Sequence, residues 1–247
     1  MKRTFLAASI LFTAAAWPLA AVADDDAARA RSLTPAALAQ VLAGYEAYQS
    51  GDAAGAIAAW QPVANVAPHN VQFQLGDLVA RGMGTPADPA LAMAILGEPA
   101  EHGHQGAQFL MGVLTESIAP ADFAAAGDWY RQAATRGMVQ AQNNLGVLYA
   151  NDLIAPGEDG LGAKHWLGLA AAQGFADAQF NLGSLYERGA LIEADPPRAL
   201  AWFILAARQG HGGALTLADA LQAILTPAQL SQVNTLLDSG TLVPVSR

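Results

Sequence analysis

Hydrophobic and polar positions recur along this chain with a long period. Val71-Gln72-Phe73-Gln74-Leu75-Gly76, Ala107-Gln108-Phe109-Leu110-Met111-Gly112, Ala141-Gln142-Asn143-Asn144-Leu145-Gly146 and Ala178-Gln179-Phe180-Asn181-Leu182-Gly183 share a Gln in second place and a Gly in sixth. Their first residues lie 36, 34 and 37 positions apart, and a degenerate copy starts at Ala214, with Ala218 and Asp219 replacing Leu-Gly. No strand-like alternation of apolar and polar residues appears after residue 23. A period in this range with helical content predicts stacked helix pairs, an all-α solenoid.

Each copy resolves into two helices. In the third, helix A is expected over about Ala141–Ala150 and helix B over about Ala163–Gln173, joined by a turn with Pro156, Gly157 and Gly160. In the fourth they are expected near Ala178–Arg188 and Arg198–Gln209, with Gly189, Asp195, Pro196 and Pro197 between them. Gly and Pro are the punctuation expected between helices. Gly103, Gly137, Gly174 and Gly210 each precede the next copy by four residues, which suits the left-handed position that ends a helix. Gly76, Gly112, Gly146 and Gly183 lie inside helix A, where Gly costs about 1 kcal/mol relative to Ala. Their recurrence predicts a close neighbour. Trp129, Trp166 and Trp202, each twelve residues before the next copy, are expected to fill the space between helix A and helix B. Pro99 and Pro62 predict irregular helices in the N-terminal half. Thr34-Pro35 and Thr226-Pro227 predict capping helices running to about Gln49 and Asp238.

Residues 178–214 carry Ala178, Leu182, Gly183, Tyr186, Gly189, Asp195, Arg198-Ala199, Trp202-Phe203, Ala206-Ala207 and Gly210. This pattern resembles the Sel-one-like repeat, a relative of the tetratricopeptide repeat, over about residues 71–218. The resemblance implies a right-handed α-solenoid of antiparallel helix pairs. It also implies an adaptor or regulator that binds protein. Residues 24–247 then form one domain: a cap and degenerate repeat at 34–70, four repeats at 71–213, and a degenerate repeat with capping helix at 214–240.

The first 23 residues read differently. Lys2 and Arg3 precede an apolar run from Thr4 to Ala16, Pro18 breaks it, and Ala21-Val22-Ala23 offers a cleavage site before Asp24. This predicts a Sec-type signal peptide and a periplasmic or secreted product. The run is short of the ~20 residues that span a bilayer, so no membrane insertion is expected after cleavage. Removing it takes Lys plus Arg from 12 to 10 against 21 Asp plus Glu, a net charge of about −11. Such a surface repels phosphate backbones and anionic lipid, which argues against nucleic acid as partner. Cys is absent, so the fold rests on packing between repeats.

Candidate chemistry is sparse. Glu101, His102 and His104 form a cluster with metal-ligand character, but His-x-His supplies too few ligands for a closed zinc site, and no metal or other cofactor is expected. Arg81-Gly82-Met83-Gly84 is too short for a phosphate loop. No Cys, Gly-x-Ser-x-Gly or Ser-x-x-Lys nucleophile occurs, so no enzymatic activity is expected. Solenoids more often present a surface than enclose a reaction centre. The binding positions expected are those of helix A that core packing does not claim: Gln74, Asp77, Asn144, Asn181 and Ser184. Stacking would align them as a polar stripe, free to meet a partner or to bond between repeats. The expected partner is a cell-envelope protein. By resemblance it is a sensor kinase or a regulator of exopolysaccharide, with a scaffold in a polysaccharide assembly complex as the close rival. A β-lactamase-like or cell-wall hydrolase is the distant one.

Overall fold

The computed structural model describes residues 22–118, 120–155, 161–239 and 242. The expected leader at 1–23 lies outside the described residues except for Val22 and Ala23, which begin a helix; the expected turn at Pro156, Gly157 and Gly160 also lies outside them, as does Gly240. The chain divides into two compact units, Met1–Asp122 and Phe123–Arg247. Among the described residues the secondary structure is helical, and no helix is long and apolar enough to cross a membrane.

The first unit holds α1 (Val22–Ser32), α2 (Pro35–Gln49), α3 (Ala53–Trp60), α4 (His69–Arg81), α5 (Pro89–Glu101) and α6 (Gln105–Ser117). Thr34 caps α2, its hydroxyl accepting from the Ala37 amide at 3.2 Å, which is the start that Thr-Pro predicts. Helix α3 passes into a 3-10 turn at Gln61–Val63, where Pro62 denies it an amide. Helix α5 runs through Pro99, which is buried near its end. The missing amide falls only three residues before the cap, and the Pro99 carbonyl accepts from the His104 amide at 2.8 Å. Sequence reading had assigned α1 no structure. It ties back onto α4, because Asp26 accepts from the amides of His69 at 2.6 Å and Asn70 at 3.2 Å. Those amides start α4, whose own capping position is Pro68 and has no side-chain acceptor.

The second unit holds α7 (Phe123–Ala134), α8 (Val139–Ala150), α9 (Ala163–Ala172), α10 (Ala176–Arg188), α11 (Pro196–Arg208), α12 (Gly212–Ile224) and α13 (Pro227–Ser239). Consecutive helices pack as pairs in both units, the α-solenoid arrangement that the period predicts. Helix α13 opens with a reciprocal cap: Gln229 N–H donates to the Thr226 hydroxyl at 3.3 Å, and the Thr226 amide donates to Gln229 Oε1 at 3.0 Å.

Three repeat positions show what holds a pair together. Gly103, Gly137, Gly174 and Gly210 all have φ between 82° and 90°, the left-handed conformation expected at a helix end. The interior glycines sit under helix B side chains. A Cβ on Gly76, Gly146 or Gly183 would lie 2.6 Å from Leu96 Cγ, 2.7 Å from Leu167 Cγ and 2.8 Å from the Phe203 ring. Those side chains, with Tyr130, occupy one repeat position and are fully buried. The tryptophan one residue earlier is not the constant filler: Trp166 and Trp202 are buried, but Trp129 is only half-buried, and Tyr130 fills the second repeat.

The third position is the recurrent Gln. Its Nε2 donates to the carbonyl eight residues earlier in every copy: Gln72 to Ala64, Gln108 to Ala100, Gln142 to Ala134 and Gln179 to Ala171, at 2.7, 3.0, 3.1 and 3.2 Å. The carbonyls of Ala100, Ala134 and Ala171 also accept from the amides of Gly103, Gly137 and Gly174 at 3.0, 2.9 and 3.0 Å, so the Gln adds a second bond at the helix end, worth about 0.5–1.5 kcal/mol.

Candidate functional site

The five positions expected to form a polar stripe are claimed in different ways. Gln74 is buried, 8% exposed. It shares a helix face with the buried Val71 and Leu78, three residues before and four after it. Asp77 pairs with Arg81 at 2.8 Å on the same helix, and burial raises its pKa despite that partner. Asn181 donates to Asn143 Oδ1 at 3.0 Å across α8 and α10, and Asn143 donates to Asn144 Oδ1 at 3.2 Å. The bond between repeats is therefore present. Ser184 is half-buried, one turn from Asn181.

A different part of the second unit forms a concavity. A cavity of about 490 Å³ opens along α9, between the end of α8 and the connection that follows α10, a size in the range of ligand pockets. Its walls include Tyr149, Asp152, Ile154, Lys164, His165 and Leu191. None of the five stripe residues lines it. Helix α8 sets one wall through its termination. Asp152 has φ +54°, with Leu153 N–H bonded to the Leu148 carbonyl at 3.0 Å. At this position repeats one and four place Gly82 and Gly189, at φ +70° and +64°. An Asp tolerates the left-handed region at some cost. It puts a carboxylate on the wall where glycine would leave bare backbone. Tyr149 is fixed from behind, its hydroxyl accepting from Arg131 at 2.8 Å. Lys164 is exposed, its Nζ 5.9 Å from the Tyr186 ring centroid. Leu153 and Leu191 are large apolar side chains, 41% and 46% exposed. The cavity escaped sequence reading because its walls combine α9 with residues of two inter-helix connections in different repeats. The replacement of Gly by Asp at residue 152 was the signal within the sequence.

A second cluster lies in the first unit. Sequence proximity had grouped Glu101, His102 and His104. The structure separates them: Glu101 is exposed, and His104 caps α6, its Nδ1 accepting from the Ala107 amide at 3.1 Å. Burial holds the His104 pKa down to about 4, so the ring stays neutral and able to accept. His102 instead meets His69, with ring centroids 4.7 Å apart. Among the described residues, His69, Glu98 and His102 form the group whose ligand atoms all fall within 4.8 Å of one another. His69 is fully buried, and neither ring nitrogen has a hydrogen bond. Asp25 comes within 3.3 Å of Nδ1 without hydrogen-bonding geometry. Burial first, then the nearby Arg29 charge, lowers the His69 pKa and favours a neutral ring, against the pull of Asp25. A buried imidazole with neither nitrogen satisfied costs about 1–3 kcal/mol. Glu98 accepts from Arg29 at 2.7 Å and from Gln72 at 3.0 Å. Partial burial raises its pKa, but these bonds and the positive charge outweigh that and leave it lowered.

Comparison with known proteins accords with this architecture. A family model, the Sel1 repeat, matches residues 69–104, 106–138, 139–175 and 176–211. The chain is similar to a crystal structure of a Sel1 repeat protein from Oxalobacter formigenes, with 24% identity, a TM-score of 0.64, and coverage of 81% of this chain and 83% of that one. It is also similar to c5321, a protective antigen of uropathogenic Escherichia coli strains with an SLR fold, at 21% identity and a TM-score of 0.47, covering 82% of this chain and 60% of that one. Among curated proteins none matches.

Proposed function

Since the chain belongs to the Sel1 repeat family, whose members generally act as protein-interaction scaffolds and are typically non-catalytic, we propose that it is an exported, periplasmic adaptor or regulator of a cell-envelope protein, and that the second-unit cavity is where the partner docks. The observation that carries the docking site is the cavity beside α9, with Asp152 held in a left-handed conformation at its wall and Leu153 and Leu191 exposed nearby. Backbone strain persists where surrounding structure enforces it, and it concentrates at binding sites. A space of this size accepts one or two apolar side chains of a protein segment. Lys164, with no carboxylate within ion-pair distance among the described residues, offers charge to an acidic group beside them. Export is supported by the basic start, apolar run and Ala21-Val22-Ala23 of the leader. The resemblance supports a sensor kinase or an exopolysaccharide regulator as partner, and a polysaccharide assembly complex is the rival setting.

A photoreactive amino acid at Leu191, activated in intact cells, tests the reading. It should give one discrete adduct with an envelope protein, and the same probe at the exposed Glu187 should not. Mass spectrometry of the adduct separates a regulator's target from a scaffold's neighbours. N-terminal sequencing of the exported chain should return Asp24. Equal adducts from both positions would remove the cavity from the proposal, an exported chain that retains Met1 would remove cleavage of the leader, and a chain missing from the periplasmic fraction would remove export.

A further inference from the structure

Shared repeat geometry lets one position be compared across four copies. Two residues before the copy start stand His69, Gln105, Val139 and Ala176. Five residues before the terminal glycine stand Glu98, Gln132, Leu169 and Leu205, and immediately before it stand His102, Arg136, Gln173 and Gln209. The first repeat alone puts an imidazole, a carboxylate and a second imidazole at these places. Pairing of α4 with α5 carries the first residue of α4 to the last turns of α5. Glu98 and His102, four residues apart, share a helix face there. His102 Nδ1 lies 2.9 Å from the Glu98 carbonyl oxygen. A carbonyl only accepts, so that nitrogen carries the proton and Nε2 keeps its lone pair free. His69 adds a fully buried ring with both nitrogens unbonded.

The geometry points to a binding site for a divalent transition-metal ion of the zinc class, ligated by His69, Glu98 and His102. Two imidazoles and one carboxylate suit zinc, whereas calcium and magnesium call for more oxygen donors than one glutamate supplies. Three protein ligands leave one tetrahedral position for water. Bonds of about 2.1 Å place tetrahedral ligands about 3.4 Å apart, so the group, now within 4.8 Å, must contract by up to about 1.4 Å. The half-buried Glu98 and the exposed His102 have room to move inward. Asp25, 3.3 Å from His69 Nδ1, is placed to orient the imidazole, as an outer carboxylate commonly does for a metal-bound histidine. Arg29 is the competitor. Its guanidinium holds Glu98 Oε1 at 2.7 Å, and a bound ion must displace it. Because Arg29 lies on α1, occupancy acts on the helix that also carries Asp25 and Asp26.

Calorimetric titration of the tag-free, metal-stripped chain with Zn²⁺ tests the site, with Co²⁺ absorption as a second readout. One ion should bind per chain, and Co²⁺ should show ligand-field bands of a nitrogen-containing low-coordinate site. His102→Ala should weaken Zn²⁺ at least about tenfold with no change in the circular dichroism spectrum, as should Glu98→Gln. Arg29→Ala is the discriminating variant. If Glu98 is a ligand, losing its competing cation tightens Zn²⁺ binding; if Glu98 serves only an ion pair, affinity does not rise. His211→Ala, in the second unit and outside the cavity, should leave affinity unchanged. The assignment is overturned if the wild-type chain takes up no Zn²⁺, if His102→Ala binds as wild type, if Arg29→Ala fails to tighten binding, or if His211→Ala loses as much as His102→Ala.

Discussion

In the fourth repeat, α11 turns Phe203 toward α10; in the first, α5 turns Leu96 toward α4. Phe203 and Leu96 do the same work. Both are fully buried, and both lie against an interior glycine, Gly183 or Gly76. The preceding residues do not correspond. Trp202 is 1% exposed, whereas Ile95 is half-buried. Backbone devices are likewise shared, with a left-handed glycine after helix B and a Gln that reaches a carbonyl eight residues back. Within a pair, then, the repeat fixes one side chain and one glycine, and between successive repeats one amide. The remaining positions are released to carry chemistry, and the first repeat uses them for His69, Glu98 and His102.

The largest expected effect separates the two regions. Trp202→Ala removes a fully enclosed side chain and should destabilise by about 3–5 kcal/mol, while Ile95→Ala should cost well under half of that. Denaturant midpoints measure the difference, and equal shifts would mean that repeat one needs its Ile95 as much as repeat four needs its tryptophan. Next comes the glycine they share. Gly183→Leu places carbon where the Phe203 ring and the Ala199 carbonyl already lie, 2.8 and 3.2 Å from the new Cβ, and should cost about 1–3 kcal/mol or more. Gly76→Leu should behave alike, and the exposed Glu187→Leu should be near neutral. Matching melting temperatures for Gly183→Leu and Glu187→Leu would refute the close approach. The smallest effect concerns a bond that the first repeat lacks. Asn181→Ala breaks the amide link to Asn143 and should cost about 0.5–1.5 kcal/mol. Added to Asn143→Ala it should cost little more, and strict additivity in that cycle would show that the bond contributes nothing.

The sequence made visible what depends on local rules. Thr34-Pro35, Thr226-Pro227 and the terminal glycines mark helix ends because their effect spans four or five residues. Gly146 and Gly183 announced a close neighbour without saying which atom it was. The recurrent Gln was noticed but had no account, because an amide that reaches back eight residues across a turn leaves no trace in hydrophobic periodicity. Asn181 was read as free or bridging, and only its partner Asn143 decides between them. His69 and His102 stand 33 positions apart, and sequence proximity grouped His102 with Glu101 and His104 instead; the antiparallel pairing of α4 and α5 is what brings the two imidazoles together. The cavity was beyond reach, since Asp152 and Leu191 converge only through the paths of two connections.

The glutamine bonds have a consequence for how such a chain can change length. Gln142 reaches the carbonyl of Ala134, and Gln179 reaches that of Ala171. Excising residues 142–178 would set Gln179 eight residues after Ala134, with donor, acceptor and spacing restored. Duplicating the same stretch would restore them twice. A gene encoding this joint can therefore gain or lose whole periods by unequal recombination without creating a mismatched seam, whereas an insertion between Ala134 and Gln142 would break one; the spacings of 36, 34 and 37 residues show that length changes elsewhere in a period leave the bonds intact.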